Sequence, residues 1–351
     1  MRPTASADPL AIDAAGHAHD GRGEGRAATR GFLICVAIGL VVFIGLLRVV
    51  APERVGWVQA AIIIFSALVV QALPFVLVGA LAGAVIEVFV SPARLERLSD
   101  LPKWAQLPCS ALAGVAFPLC ECGSVPVARR LISKGLSPSA AITFMLAAPV
   151  LNPVVIASTF VAYRGRSTLW VMVSGRFILG SIAAVTVGWV LGGTKGGESL
   201  LRRAVPTRVE PVTLGKPEAR WRTFFLHLGN DFLFMGRFLL IGAAAAAMVQ
   251  TFLPQSWTSR VGVLPVVDVL AMMVLALILS LCSESDAFIA ASFSQFGPGP
   301  QLAFLVFGPM VDLKLISLYA GTFSRRTLLS IVVGAAAVAL VGGLWVGVIT
   351  G

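Results

Sequence analysis

The amino-acid sequence predicts an all-α polytopic membrane protein made of one N-terminal span and two repeated helical units. Of the 351 residues, 57% are hydrophobic and 13% are charged, whereas about a quarter of the residues of soluble domains are charged. The mean hydropathy is +0.90. Apolar runs of the length that crosses a bilayer, about 20 residues, recur along the chain. We therefore expect a multi-pass protein of the cell membrane, embedded in lipid.

The chain divides into five segments. Residues 1–30 are polar and rich in Gly, Ala and Arg, a composition typical of a disordered tail. Residues 31–56 hold an apolar run that is too long for a signal peptide and lacks a small-residue cleavage site, which predicts a retained span. The first repeat is predicted at 57–192 and the second at 222–351. The polar stretch 193–221 is predicted to be the linker between them.

The two repeats are inferred from three sequence matches that occur in the same order. LPFVLVGALAGAVIEVFV resembles GRFLLIGAAAAAMVQTFLP, LCECGSVPVARRL resembles LCSESDAFIAASF, and APVLNPVV resembles GPMVDLKL. The aligned pairs are Gly79 with Gly242, Cys120 with Cys282, and Asn152 with Asp312. Transporters are often built from such repeats, with the substrate site between them.

The distribution of Lys and Arg predicts the orientation of the chain. If the regions around Cys120 and Cys282 turn back within the membrane, 19 Lys and Arg residues fall on the side of the N-terminus and 5 on the other. If both regions cross the membrane, the two sides hold equal numbers of Lys and Arg residues. Because basic loops stay in the cytoplasm, we expect two inverted units and a cytoplasmic N-terminus. Run 261–282 is nevertheless apolar enough to be a full span, so the number of spans stays open.

The stretch FPLCECGSVPVARRL, residues 117–131, interrupts an apolar region with helix breakers and reactive side chains. Irregular backbone survives at membrane depth only where protein or water satisfies it. We expect an unwound segment here, named the first tip, with five candidate substrate-binding residues: Cys120, Glu121, Cys122, Gly123 and Ser124. The matching second tip supplies Cys282, Ser283, Glu284, Ser285 and Asp286.

Thiols in the two tips predict a soft ligand. A Cys-x-Cys pair suits a trivalent arsenical or a d10 metal ion, and Cys120, Cys122 and Cys282 together form a candidate metal site. Cysteine can equally act as a small hydrophobe, and a Cys-x-Cys pair lacks the spacer of a strong zinc signature. A redox disulfide between Cys120 and Cys122 is disfavoured, because the one-residue spacer would strain it.

Intramembrane charges form a second group of candidates. Acids in apolar surroundings are costly and usually line a pathway or carry protons or cations, so Glu284, Asp286 and Asp312 are candidate coupling residues. Asn152 and Lys314 are candidate pathway residues beside them. The alternatives are a surface loop at the second tip, and a helix kink with a satisfied ion pair near Asp312.

Other charged residues suggest simpler roles. Arg129, Arg130 and Lys134 follow the first tip, and we interpret them mainly as topology anchors. Glu87 is a lone acid in an apolar run and could snorkel to the membrane surface. The net charge of +10 is explained by basic loops, so nucleic acid is not an expected partner. No P-loop, nucleophile elbow or HExxH motif is present, which predicts a protein that is not an enzyme and has no cofactor.

The motifs FPLCECGSVPVARRLISKG, SAAITFMLAAPVLNPVVIAST, CSESDAFIAASF and GPMVDLKL resemble those of the ArsP-type predicted permease family. The likeness covers roughly residues 57–350. It implies an inner-membrane permease, and characterised members of that family export trivalent organoarsenicals. The family's tips fall on Cys120, Cys122 and Gly123, and on Ser283, Ser285 and Asp286. In this chain Glu121, Cys282 and Glu284 are additional tip residues.

The resulting functional prediction is a secondary efflux transporter of a soft thiophilic substrate, such as a trivalent organoarsenical. A zinc or copper permease, a channel-like subunit and a thiol-redox membrane protein are the alternatives. An accessory membrane subunit or a second copy of the chain is a candidate partner.

Overall fold

A computed structural model describes residues 56–89, 98–117, 119–192, 217–252 and 265–350. These residues form helices and no β-strand, which confirms the all-α class. The predicted tail, the N-terminal span up to residue 55 and most of the linker lie outside the described residues. Ala60–Gly351 forms one compact unit, and the residues up to Gln59 belong to another.

Twelve helices are present in the described part of the chain. They are α1 (Gly56–Phe89), α2 (Lys103–Ala116), α3 (Glu121–Ser133), α4 (Pro138–Leu151), α5 (Pro153–Ala162), α6 (Leu169–Gly192), α7 (Pro217–Phe252), α8 (Pro265–Leu279), α9 (Asp286–Ser292), α10 (Pro298–Phe307), α11 (Leu313–Thr322) and α12 (Arg325–Thr350).

Five segments of the described residues are long and apolar enough to cross a membrane. They are Trp57–Val88, Pro138–Ala162, Leu169–Leu191, Phe224–Phe252 and Arg325–Thr350. Helix α8 has 15 residues and is about 22 Å long at 1.5 Å per residue. It is therefore shorter than the hydrocarbon layer of about 30 Å, so the apolar run 261–282 does not form one continuous spanning helix among the described residues.

The two halves contain helices in the same order. Each half has a long helix, a short helix, a tip, a second short helix, two consecutive helices separated by a break, and a final long helix. Helix α4 packs against α2, α3 and α6, and α10 packs against α8, α9 and α12. Helix α6 contacts α12, α3 contacts α11, and α9 contacts α5. Each tip thus lies against the other half, while the inverted orientation of the repeats stays a prediction.

Matching polar residues explain where the two broken segments restart. The Asn152 side chain accepts a hydrogen bond of 2.9 Å from the backbone N–H of Val154, at the start of α5. The Asp312 side chain accepts one of 2.6 Å from Leu315 N–H, at the start of α11. Both residues cap otherwise unpaired amides at a helix N-terminus. Pro153 follows Asn152 in the first position of α5, where proline is favoured.

The first tip is less unwound than predicted. Helix α2 ends at Ala116, and α3 begins at Glu121 and continues through Gly123 and Pro126. Pro126 is the sixth residue of α3, so it lies beyond the first turn and removes the N–H that would donate to the Cys122 carbonyl. A break between α2 and α3 is thus present where the sequence predicted one, and the backbone is helical from Glu121 onwards.

Gly79 of α1 lies directly against the backbone of Gly123 in α3. A Cβ atom at position 79 would collide with the Cα and carbonyl oxygen of Gly123. We therefore expect Gly79→Ala to displace α1 from the first tip and to lower the thermal stability of the purified protein. Gly236→Ala is the matched control, because nothing lies within 4 Å of a Cβ there. It should stabilise α7 by about 0.5–1 kcal/mol. Equal thermal midpoints for the two variants would contradict the close approach.

Candidate functional site

The first tip presents its reactive side chains in a buried position. Cys120 precedes α3, while Glu121 and Cys122 lie in its first turn. The three residues are only 1–2% exposed. The side chains of Cys120, Cys122 and Cys282 belong to the same buried cluster. The Ser124 hydroxyl donates to the Glu121 carbonyl at 3.0 Å, which holds the turn together.

The second tip folds on itself between α8 and α9. The Cys282 thiol donates to Oε2 of Glu284 at 2.6 Å. The Ser285 hydroxyl donates to the Cys282 carbonyl at 3.0 Å. The amide of Gln250, on α7, donates to the last carbonyls of α8 at 3.1 and 2.9 Å. These bonds satisfy the end of a helix that stops inside an apolar region.

The two tips meet through Glu121 and Ser283. The Ser283 hydroxyl donates to Oε2 of Glu121 at 3.2 Å, and both side chains are buried. The ammonium of Lys314 lies 3.5 Å from Oε1 of Glu121 and 3.5 Å from Oδ2 of Asp312. One buried cation therefore faces two carboxylates. Oδ2 of Asp312 accepts no hydrogen bond.

Arg176 of α6 holds the second tip, and sequence reasoning missed it. Its guanidinium donates to both carboxylate oxygens of Asp286, at 2.8 and 2.7 Å. It also donates to the Ser283 carbonyl at 3.3 Å and to the Thr159 hydroxyl at 3.0 Å. The side chain is fully buried. The signal was available, because Arg176 is the lone charge in the apolar run 168–192.

The two ion pairs cross between the halves. Glu121 and Asp286 are each the first residue of the helix that follows a tip, where a carboxylate is favoured by the helix dipole. Lys314 of the second half pairs with Glu121, and Arg176 of the first half pairs with Asp286. The structure thus brings both predicted tips and Lys314 together, with Asp312 beside them. No hydrogen bond in the described part of the chain joins Asn152 to either tip.

The predicted metal site is not formed in this conformation. Among the described residues, no group of three or more His, Cys, Asp or Glu side chains is arranged to hold a metal ion. Cys120, Cys122 and Cys282 are buried and free of disulfides. The proposal that these three thiols ligate a metal together therefore gains no support from the geometry.

A second, partly buried charge cluster lies at the far end of α3. Arg130 forms two hydrogen bonds to Asp231 of α7, at 2.8 and 2.9 Å. Its Nη2 lies 3.2 Å from Nδ1 of His227, and its Nη1 lies 3.5 Å from Oε2 of Glu87. Lys134 donates to the Glu87 carbonyl. Arg130 thus has specific partners on α1 and α7, in addition to any effect of its charge on topology.

Comparison with known proteins gives consistent matches over most of the chain. The model of a family described as predicted permease, of the ArsP type, matches residues 58–348. UPF0718 protein YcgR of Bacillus subtilis is 36% identical over 81% of this chain and 95% of its own length. A Streptococcus mutans protein provisionally named a two-component membrane permease complex subunit is 34% identical, over 81% of this chain and 94% of its own. No solved structure matches the chain.

Proposed function

Since the chain belongs to the ArsP-type predicted permease family, and is thus a multi-pass membrane permease, we propose that it is a secondary efflux transporter of a soft thiophilic substrate. A trivalent organoarsenical is the proposed substrate. The observation that carries this proposal is the buried meeting of the two tips. Two thiols from the first half and one from the second belong to one buried cluster there, next to the Glu121–Lys314 ion pair.

The chemistry of the tips suits a neutral trivalent arsenical. An organoarsenical with two hydroxyl groups forms one As–S bond to Cys120 and one to Cys122, and both As–O bonds break. Each thiol proton leaves with a hydroxyl as water, so two waters are released and no oxidant or reductant is needed. The reverse reaction releases the substrate. The overall exchange is neutral, but the attacking species is the thiolate, so each thiol gives up its proton as its As–S bond forms.

The acids near the tips differ in how many hydrogen bonds their carboxylate oxygens accept. Arg176 binds both oxygens of Asp286, whereas Oδ2 of Asp312 accepts no hydrogen bond. Of the acids predicted to carry a coupling proton or cation, Asp312 is therefore the better supported and Asp286 the less supported. Glu284 is engaged by the Cys282 thiol, which links it to the substrate site.

The proposal includes a partner and an orientation. One relative is provisionally named a subunit of a two-component permease complex, which supports an accessory membrane subunit as partner. The distribution of basic residues supports a cytoplasmic N-terminus. A zinc or copper permease uses the same buried thiols, and flux measurements distinguish it from an arsenical exporter.

Transport by everted membrane vesicles tests the proposal. We expect wild-type vesicles to accumulate trivalent methylated arsenic when a proton gradient is applied, and Cys122→Ser to reduce accumulation to the level of empty vesicles. Cys109→Ser is the matched control, because Cys109 is an exposed thiol on α2 and should transport normally. Arsenite and zinc are measured in parallel.

Each outcome has a defined meaning. Accumulation of zinc alone, or arsenical flux that does not need Cys122, would contradict the proposed substrate. Flux that is the same without a gradient would favour a channel. A Cys122-dependent redox change without any flux would favour the thiol-redox alternative.

A further inference from the structure

The partly buried charge cluster of Glu87, Arg130, His227 and Asp231, named the Arg130 cluster, lies on one side of the tips. At 1.5 Å per helical residue, Arg130 is about 13 Å along α3 from Glu121. Asp231 is about 16 Å along α7 from Gly242, whose backbone packs against Lys314. Glu87 is about 12 Å along α1 from Gly79, which packs against the first tip. The three helices thus carry the cluster to the same side of the site.

The cluster connects the two halves through side chains. Arg130 belongs to the first half and Asp231 and His227 to the second, and their bonds cross from α3 to α7. Beside them, the Arg129 guanidinium lies 4.6 Å from the centre of the Phe234 ring, also on α7. At the level of the tips, by contrast, glycines allow the backbones of neighbouring helices to touch. Hydrogen bonds and ion pairs between side chains can break and re-form while the backbones stay packed. The Arg130 cluster is therefore better suited than the glycine contacts to change during a conformational transition.

From this geometry we infer that the Arg130 cluster is a gate, which closes one route between the tips and the membrane surface. The inference rests on the alternating access of the proposed transporter. The basic residues next to the gate, Arg129 and Lys134, are among those that predict the cytoplasmic side. The gate is therefore assigned to the cytoplasmic entrance, and the structure is closed on that side.

Accessibility of Cys122 tests the gate without any transport measurement. Cys122 is 1% exposed, so a membrane-impermeant methanethiosulfonate should modify it slowly in wild-type protein, as measured by peptide-resolved mass spectrometry. We expect Arg130→Gln and Asp231→Asn to accelerate modification about tenfold, the effect of losing one charged hydrogen bond. The acceleration should occur in everted vesicles and not in right-side-out vesicles.

Control variants separate a gate from general loosening. Arg325→Gln removes an exposed charge from the predicted cytoplasmic side and should leave Cys122 protected. The exchange Arg130→Asp with Asp231→Arg should restore much of the protection. If Arg130→Gln does not fold, Glu87→Gln weakens the 3.5 Å contact with Arg130 and should give a smaller acceleration on the same side.

Unchanged modification in all cluster variants, or equal acceleration from both sides, would overturn the gate. Acceleration restricted to right-side-out vesicles would overturn its assignment to the cytoplasm. Because the assay contains no arsenical, a protected wild type with one-sided opening in the variants supports the gate even if the proposed substrate proves wrong.

Discussion

Replacing Arg176 with glutamine is expected to destabilise the protein by about 3–5 kcal/mol, the usual cost of removing one partner from a buried ion pair. Both carboxylate oxygens of Asp286 depend on Arg176. The substitution leaves that carboxylate buried and uncompensated. It also removes the donors to the Ser283 carbonyl and the Thr159 hydroxyl. The measurement is the thermal midpoint of the purified protein in detergent.

The double variant Arg176→Gln with Asp286→Asn removes both charges. It therefore distinguishes the loss of charge compensation from the loss of the hydrogen bonds that position the second tip. If the uncompensated charge causes the loss, the double variant should recover most of the thermal stability. It should still transport poorly, because the second tip has lost the two parallel hydrogen bonds from the guanidinium. Full recovery of both stability and transport would show that Arg176 only neutralises Asp286. No loss in the single variant would contradict the buried pair.

Replacing Lys314 with methionine is expected to have an effect at least as large, about 3–5 kcal/mol or more, because two carboxylates lose their shared cation. The ammonium lies 3.5 Å from both Glu121 and Asp312, and all three side chains are buried. We expect poor recovery of folded protein and no transport. Yield in the membrane and elution as a single species on size exclusion measure the effect.

Second-site changes identify which carboxylate matters. Adding Asp312→Asn to Lys314→Met should restore part of the folded yield. Asparagine can still cap α11, as Asn152 caps α5 in the matching position. Adding Glu121→Gln as well should restore more. Normal yield for Lys314→Met alone would mean that one carboxylate is already protonated and that the cluster does not require the ammonium.

The sequence predicted both tips because their signals are local. Cysteines, acids and prolines stand out in an apolar run, and the offset of 162 between Cys120 and Cys282 follows from the sequence alone. The residue at which the first helix break ends was not predicted. The sequence has prolines 118 and 126 on either side of Glu121, yet α3 begins at Glu121 and includes Pro126. Proline has a φ that a helix accepts, and it costs the helix one N–H donor.

The partners of Arg176 and Arg130 could not have been predicted in the same way. Asp286 is 110 residues from Arg176, and Asp231 is 101 residues from Arg130. Charge pairs at such separations leave no periodic pattern in one sequence. Arg130 also follows directly after Arg129, so the two residues together resemble an ordinary topology signal.

The sequence by itself determined the membrane class and the order of apolar segments, and it predicted the correspondence between the halves and the residues of the tips, because hydropathy and local residue type are properties of consecutive positions. Only the tertiary structure decided that the tips face each other across the two halves and that each tip carboxylate takes its cation from the opposite half. The physical reason is that a buried charge must find a partner in three dimensions, and the packing of distant helices decides which partner lies within reach.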